Sequence, residues 1–296
     1  MVNTNLGKSY EYITGFKDND ELRASFNDLT EKTYGFNFVD YYENGFWGDK
    51  YIPCSIMDSG RIVANVSVNL MDFYVDGVKK RYIQLGTVMT DREYRCQGLS
   101  RYIIERVISE YKDKCEAMYL FANDKVTDFY PKFGFERAEE YCCSRNVDFT
   151  GKSRTIEKVN MENKEDREKL LDTAEKIFPN DYLTMDNYGL YGFYLTGVMK
   201  DMVYYCTSQE AYAVAEIKDN TLFLHQVIAD HKVDIEKVIE CFGEGIQKVV
   251  LGFPPIDDEG YEKKLYMAED TSLFILGDGL DIIERKKLMF PILSHA

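Results

Sequence analysis

The dipeptide Asp76-Gly77 lies between two long runs of β-branched and aromatic residues, Arg61 to Val75 and Lys79 to Thr90. An Asp-Gly step between alternating runs is the chemistry of a tight hairpin, because its turn positions need positive φ. Tyr51 to Met57 is a third run of the same kind, set off by Asp58-Ser59-Gly60. Together they predict an antiparallel meander of three strands. Ahead of it, residues 20 to 45 read as helix, with Leu22, Phe26 and Leu29 at helical spacing and Asp18 or Asn19 as cap.

Behind the meander a polar stretch, DREYRCQGLS, leads into a helix carrying Leu99, Tyr102, Ile103, Arg106, Val107 and Tyr111. Ala117 to Phe121 reads as a short buried strand, and Asn123 to Lys132 as a short helix closed by Phe133-Gly134-Phe135. Strand resumes from Glu136 through Tyr141 to Val147. The order predicts an α/β unit with a mixed, mostly antiparallel sheet, its strand–loop–helix–strand passage a right-handed crossover.

The segment 149 to 160 is polar and reads as a link. After it come an amphipathic helix from Lys164 to Phe178 and strands at Met202 to Cys206, Ala211 to Ile217 and Thr221 to Ile228. Lys218-Asp219-Asn220 marks a hairpin between the last two. A helix from Asp234 to Phe242 and a strand from Gln247 to Phe253 follow, with further strands at Ser272 to Leu276 and Leu288 to Leu293. The element order thus repeats. YIQLGTVMT (82 to 90) corresponds to LFLHQVIAD (222 to 230), and AMYLF (117 to 121) to KVVLG (248 to 252). Two tandem domains are expected, 1–150 and 151–296. The second has the short DHKVD where the first has its glycine loop.

Charge narrows the partners. Asp and Glu outnumber Lys and Arg by 51 to 36, a net −15. Such acidity argues against nucleic acid, whose phosphates it would repel, and permits a cationic amine, although solubility alone is a sufficient reason for it. No window approaches about 18 apolar residues, so no membrane span is expected. The start, MVNTNLGKSYEYITG, has no basic-then-apolar leader, and the seven cysteines show no C-x-x-C pair. A cytoplasmic chain with reduced thiols and no metal is the expectation. The three histidines are His225, His231 and His295. The first unit therefore has no histidine of its own to use as a base.

The stretch Val88 to Ser100 carries the chemistry. A strand ends, the loop Arg95-Cys96-Gln97-Gly98-Leu99-Ser100 turns, and a helix begins. Loop N–H groups and a helix N-terminus pointing one way make an anion site suited to a pyrophosphate. Gly98 lets the backbone approach a ligand, Ser100 is small, and Arg95 adds a cation. Neither G-x-G-x-x-G nor Gly-Lys-Ser/Thr is present, which excludes dinucleotide and P-loop sites.

Arg95-x-x-Gly98-x-Ser100, followed by Asn123, Tyr130 and Gly134-Phe135, resembles the GNAT superfamily of acyl-CoA-dependent N-acetyltransferases over about residues 20 to 147. Ser100 stands where the family has Gly or Ala. The resemblance implies that Val88, Met89 and Thr90 end the fourth strand at a bulge facing the pantetheine arm of acetyl-CoA. It also implies that Arg95, Cys96, Gln97, Gly98, Leu99 and Ser100 hold the pyrophosphate. Asn123 would steady the cofactor arm, and Tyr130 would protonate the departing thiolate. The activity implied is transfer of acetyl to a primary amine, small molecule or peptide, by direct attack; the alternative is a non-catalytic acyl-CoA sensor. The second unit, a GNAT-like domain without the loop, would shape the acceptor cleft or a homodimer surface.

No base is selected. Gln84 cannot titrate, and Asp72, Glu43, Asp40 and a C-terminal carboxylate of Ala296 stay open, with water sufficient. Cys96 lacks a base partner. Phe36, Phe38, Tyr41, Tyr42, Phe46 and Trp47 form an aromatic cluster, either core packing or the border of the acceptor site.

Overall fold

The computed structural model describes residues 2, 3 and 8–296. The elements run β1 (Val2–Asn3), β2 (Ser9–Thr14), α1 (Asp20–Tyr34), α2 (Val39–Glu43), β3 (Tyr51–Asp58), β4 (Arg61–Val75), β5 (Val78–Thr90), α3 (Leu99–Tyr111), β6 (Met118–Asn123) and β7 (Glu136–Ala138). They continue with β8 (Glu140–Asn146), β9 (Glu157–Lys158), α4 (Lys164–Glu175), β10 (Leu183–Asp186), α5 (Tyr188–Thr196), β11 (Val203–Cys206), β12 (Ala211–Lys218) and β13 (Thr221–Ile228). The last are α6 (Ile235–Glu240), β14 (Lys248–Leu251), β15 (Glu262–Tyr266), β16 (Thr271–Leu276) and α7 (Ile282–Lys286). The fold is mixed α/β, two sheets flanked by helices.

Local chemistry explains the ladders. The β3–β4, β4–β5 and β12–β13 turns place Ser59-Gly60, Asp76-Gly77 and Asp219-Asn220 at positive φ, the two-residue turn that matches strand twist. The helical stretch 20 to 45 is two helices. Asn19 caps α1 through the Leu22 N–H, and Gly35, left-handed at φ 78, stops it.

The first sheet runs β1-β2-β3-β4-β5-β6-β16-β7, with β10 on β4; the second runs β15-β8-β14-β13-β12-β11-β9. In each, an antiparallel hairpin passes through a helix to a parallel strand: β5 to β6 across α3, and β13 to β14 across α6. The expected internal repeat is present in this order of elements. The strand beside each parallel strand corrects the sequence reading. β8, read as closing the first unit, pairs with β14 and β15 in the second sheet. β16, read as part of the second half, sits between β6 and β7 in the first. The halves exchange strands, because pairing partners far apart in sequence are set by packing rather than by local pattern.

The 288 to 293 segment is likewise not a strand. Pro291 lacks a ladder donor, and the chain runs irregularly into a short 3₁₀ turn at Ile292–Ser294. One core joins the halves: Met71, Phe73, Tyr82 and Tyr119 of the first sheet pack with Leu183, Tyr191, Leu195, Val214, Phe290 and Leu293. Ile103, Ile104 and Val107 of α3 cover the other face of the first sheet against Leu120 and Ala122. Among the described residues no helix is long and apolar enough to cross a membrane.

Candidate functional site

The site starts from a failure of pairing. β5 and β6 are matched only at Ile83–Met118 and Gln84–Tyr119. Both strands continue, to Thr90 and Asn123, so beyond Gln84 they part and leave a gap. Just before β5 ends its register slips. Asn65 faces Met89 and Ser67 faces Gly86, so Thr87 and Val88 together oppose Val66. This is a β-bulge, with Thr87 at φ 47. The Asn65 side-chain amide donates to the Thr87 carbonyl at 2.9 Å, and the Tyr34 hydroxyl donates to the Val88 carbonyl at 2.7 Å. The bulge is therefore held from both sides.

A cavity of about 640 Å³ opens where β5 ends. It brings together Val88, Met89, Thr90, Arg95, Cys96, Gly98, Leu99, Ser100 and Tyr130 of the sequence-predicted set. Arg101, Tyr94, Thr33, Val126 and Phe129 complete its lining and were not foreseen. Gln97 and Asn123 are not among the lining residues. Gln97 accepts from the Tyr10 hydroxyl at 2.7 Å. Asn123 caps the turn at Lys125 and donates to Asp270 at 2.7 Å. In a chain with 51 acidic residues, the cavity lining has Arg95 and Arg101 and, among the described residues, no carboxylate.

The loop geometry adds to this polarity. Cys96 and Gly98 both have positive φ, 60 and 80. Gly98 is the N-cap of α3 and offers no side chain to the first-turn N–H groups. Helices α1, α4, α5 and α6 all begin on side-chain caps, Asn19, Asn163, Asn187 and Asp234. The start of α3 thus leaves uncapped donors at the positive end of a helix dipole, beside two arginines. Thr90 and Ser100 hydroxyls meet at 2.6 Å, and Arg95 Nε donates to the Thr90 carbonyl at 3.2 Å, fastening the loop to the strand end.

Tyr130 stands on the far wall, in a short 3₁₀ turn capped by left-handed Gly134. Burial, with a smaller contribution from Tyr34, raises its phenol well above the ordinary value. It therefore stays protonated near neutral pH, the state a proton donor needs.

The opposite face of the first sheet carries a surprise. Tyr119 and Phe121 point away from α3, as strand alternation requires, and the chain's last residues lie against them. Phe290 stacks on Tyr119 at 4.2 Å and His295 on Phe121 at 3.7 Å. The Ala296 main-chain oxygen accepts from Gln84 Nε2 at 3.2 Å. The first unit has no histidine of its own, but His295, remote in sequence, lies against its sheet. Burial pushes the His295 imidazole down to about 4, so it is neutral. Gln84 Oε1, the Tyr119 hydroxyl and His295 Nε2 are all buried without a hydrogen-bond partner.

Of the side-chain carboxylates considered as bases, Asp72 is committed elsewhere. Burial would raise it, but Arg81, bound through both carboxylate oxygens at 2.7 and 3.0 Å, and Lys50 outweigh that and hold it low. Asp40 and Glu43 lie on α2, away from the cavity lining. In the aromatic cluster Phe38, Phe46 and Trp47 are buried. Helix α5 docks on them through Gly189 and Gly192, where a Cβ would fall 2.4 Å from the Phe46 carbonyl oxygen and 2.3 Å from its ring. Phe193 of α5 lies near Phe38 and Tyr41, and the Tyr194 hydroxyl donates to the His295 carbonyl at 2.6 Å. Phe38, Phe46 and Trp47 are core packing, Tyr41 and Tyr42 are half-buried and Phe36 is exposed; through α5 the cluster is continuous with the tail.

Residues 14–138 match the model of the acetyltransferase (GNAT) domain. No curated protein matches the sequence. Among solved structures, the fold is similar to a conserved protein of Enterococcus faecalis described as a probable N-acyltransferase. That pair has 14% identity and a TM-score of 0.59, covering 90% of this chain and 72% of the other. It is also similar to GCN5-related N-acetyltransferases from Kribbella flavida (13%, TM-score 0.53, 90% and 71%) and Anabaena variabilis (14%, TM-score 0.54, 90% and 72%).

Proposed function

We propose that this chain, whose residues 14–138 match the model of the acetyltransferase (GNAT) domain, transfers an acetyl group from acetyl-CoA to a primary amine by direct attack. One observation carries the reading: in a strongly acidic protein, the cavity beside an uncapped helix start is lined by two arginines and, among the described residues, no carboxylate. Such a cavity suits the pyrophosphate of coenzyme A.

The α3 first-turn N–H groups, Arg95 and Arg101 would hold the phosphates, and the fixed bulge at Thr87–Val88 would line the arm reaching into the β5–β6 gap. Acetyl-CoA supplies an activated acetyl thioester there, with a thiol as leaving group. Tyr130 holds a proton at its hydroxyl for the departing sulfur. The amine would come from the opposite face, where the orphaned polar atoms of Gln84, Tyr119 and His295 lie. Its proton passes to solvent. The acidity of the whole chain favours a cationic amine, and its free thiols suit the cytoplasm.

The test is an acetyl-CoA titration followed by thiol release across a panel of primary amines. Binding with amine-dependent release is expected. Binding without release for any amine would leave a sensor of acyl-CoA, and no binding would remove both readings.

A further inference from the structure

Cys206 ends β11 and Cys241 closes α6, 35 positions apart in sequence, and their Sγ atoms lie 3.0 Å from each other in the buried core of the second sheet. That is about 1 Å more than a disulfide bond of ~2.05 Å. The Ser208 hydroxyl lies 3.5 Å from both sulfurs. The two thiols are not equivalent. Burial opposes ionisation of both. At Cys241 the contacts with Ser208, Thr155 and Cys206 outweigh burial and lower the thiol, whereas Cys206 is raised. Two sulfurs at this separation, sharing one hydroxyl neighbour, need only a small approach to bond to each other.

We propose that Cys206 and Cys241 form a reversible intrachain disulfide when the protein meets a peroxide or a small-molecule disulfide. With glutathione disulfide, the Cys241 thiolate attacks one sulfur and releases one glutathione. The Cys206 thiol then displaces the second glutathione and loses its proton. The protein's two thiols become one disulfide, and two glutathione thiols form. The bond would tie the end of β11 to the end of α6, whose Cys241 carbonyl already receives the Thr155 and Ile156 N–H groups. Neither cysteine lines the cavity at the end of β5, so the modification is independent of the acetyl-transfer reading.

The experiment equilibrates the full chain with glutathione disulfide, alkylates the remaining thiols and maps the peptides without reduction. A peptide pair joined through Cys206 and Cys241 is expected, two hydrogens lighter than the free pair and abolished by a dithiol reductant. Exposed Cys96 serves as the internal reference, forming only a mixed disulfide with glutathione. Full alkylation of both Cys206 and Cys241 in protein whose Cys96 has reacted overturns the proposal. So does a cross-link that maps to other cysteines. In Cys206→Ser the cross-linked pair should vanish and Cys241 should carry glutathione instead; an unreactive Cys241 in that variant also counts against it.

Discussion

The two parallel strand pairs, β5–β6 and β13–β14, begin alike and end differently. Each pairs for a few residues and then parts, after Gln84 in the first and after Leu224 in the second. In the first, the gap meets a cavity, and the helix beyond begins on Gly98 with its N–H groups uncapped. In the second, the chain's own tail closes the gap: the Ile292 N–H donates to the Gly252 carbonyl at 2.8 Å. The helix beyond is capped by a carboxylate, Asp234, which accepts from the Glu236 and Lys237 N–H groups. One architecture thus offers a helix start to an external anion, and the other satisfies it internally. A single tail serves both, sealing one gap with Ile292 and lining the other with His295 and Ala296.

The comparison can be broken in the open half first. Tyr130→Phe should lower thiol release by about 10²–10⁴-fold while acetyl-CoA affinity, read by calorimetry, stays level. Equal loss of both would remove the donor role. Ser100→Glu, which places a carboxylate in the first turn of α3 as Glu236 does in α6, should weaken acetyl-CoA binding by about 100-fold, or ~2.7 kcal/mol. Unchanged affinity would show that the anion lies elsewhere.

The tie between the exchanged strand and the tail gives a pH signature. Glu140 of β8 accepts the Phe290 N–H at 2.8 Å. Burial, partly offset by that hydrogen bond, raises its carboxyl to about 7. The unfolded chain, with an ordinary Glu value near ~4.3, gives up this proton first. The contribution is therefore fully present below that value and is lost as pH rises to about 7. Glu140→Gln keeps an acceptor for Phe290 and should flatten this loss, gaining up to ~3 kcal/mol at pH 8. Denaturant melts at pH 5 and pH 8 would expose an unaltered slope if the assignment is wrong.

The smallest effects distinguish the two gaps directly. A Cβ at Gly252 would meet the His225 backbone and Ile292 at 2.9 Å. Gly252→Ala should cost about 1–3 kcal/mol of stability. A Cβ at Gly86 would fall 2.7 Å from the Ala296 main-chain oxygen and 3.0 Å from Asn69 Nδ2; Ala296 is exposed and can move aside, and the Asn69 amide must give by a few tenths of an ångström. Gly86→Ala should therefore cost under ~1 kcal/mol while lowering thiol release. Equal thermal shifts for the two variants would show that the tail seals both gaps alike.

Much of the open half was legible in the sequence. Asp76-Gly77 and Asp219-Asn220 announced their hairpins because positive φ restricts the residues a tight turn accepts. Arg95, Gly98 and Ser100 were marked by the loop itself, because an anion site needs backbone N–H groups and small residues within a few positions, whereas Tyr130 was marked only by the resemblance to the GNAT superfamily; all four line the cavity. Gln97 and Asn123 were implied by the same resemblance, yet they bond Tyr10 and Asp270 and are not among the lining residues.

The sequence alone determined the turns, the order of elements and the contrast between a loop that can receive an anion and one that cannot. Each rests on φ preferences, alternation and side-chain chemistry acting within a few residues. Tertiary structure decided which sheet β8 and β16 joined, and that His295 would sit against Phe121. Those contacts join segments more than a hundred residues apart, and a short strand's own residues are compatible with either sheet until packing selects one.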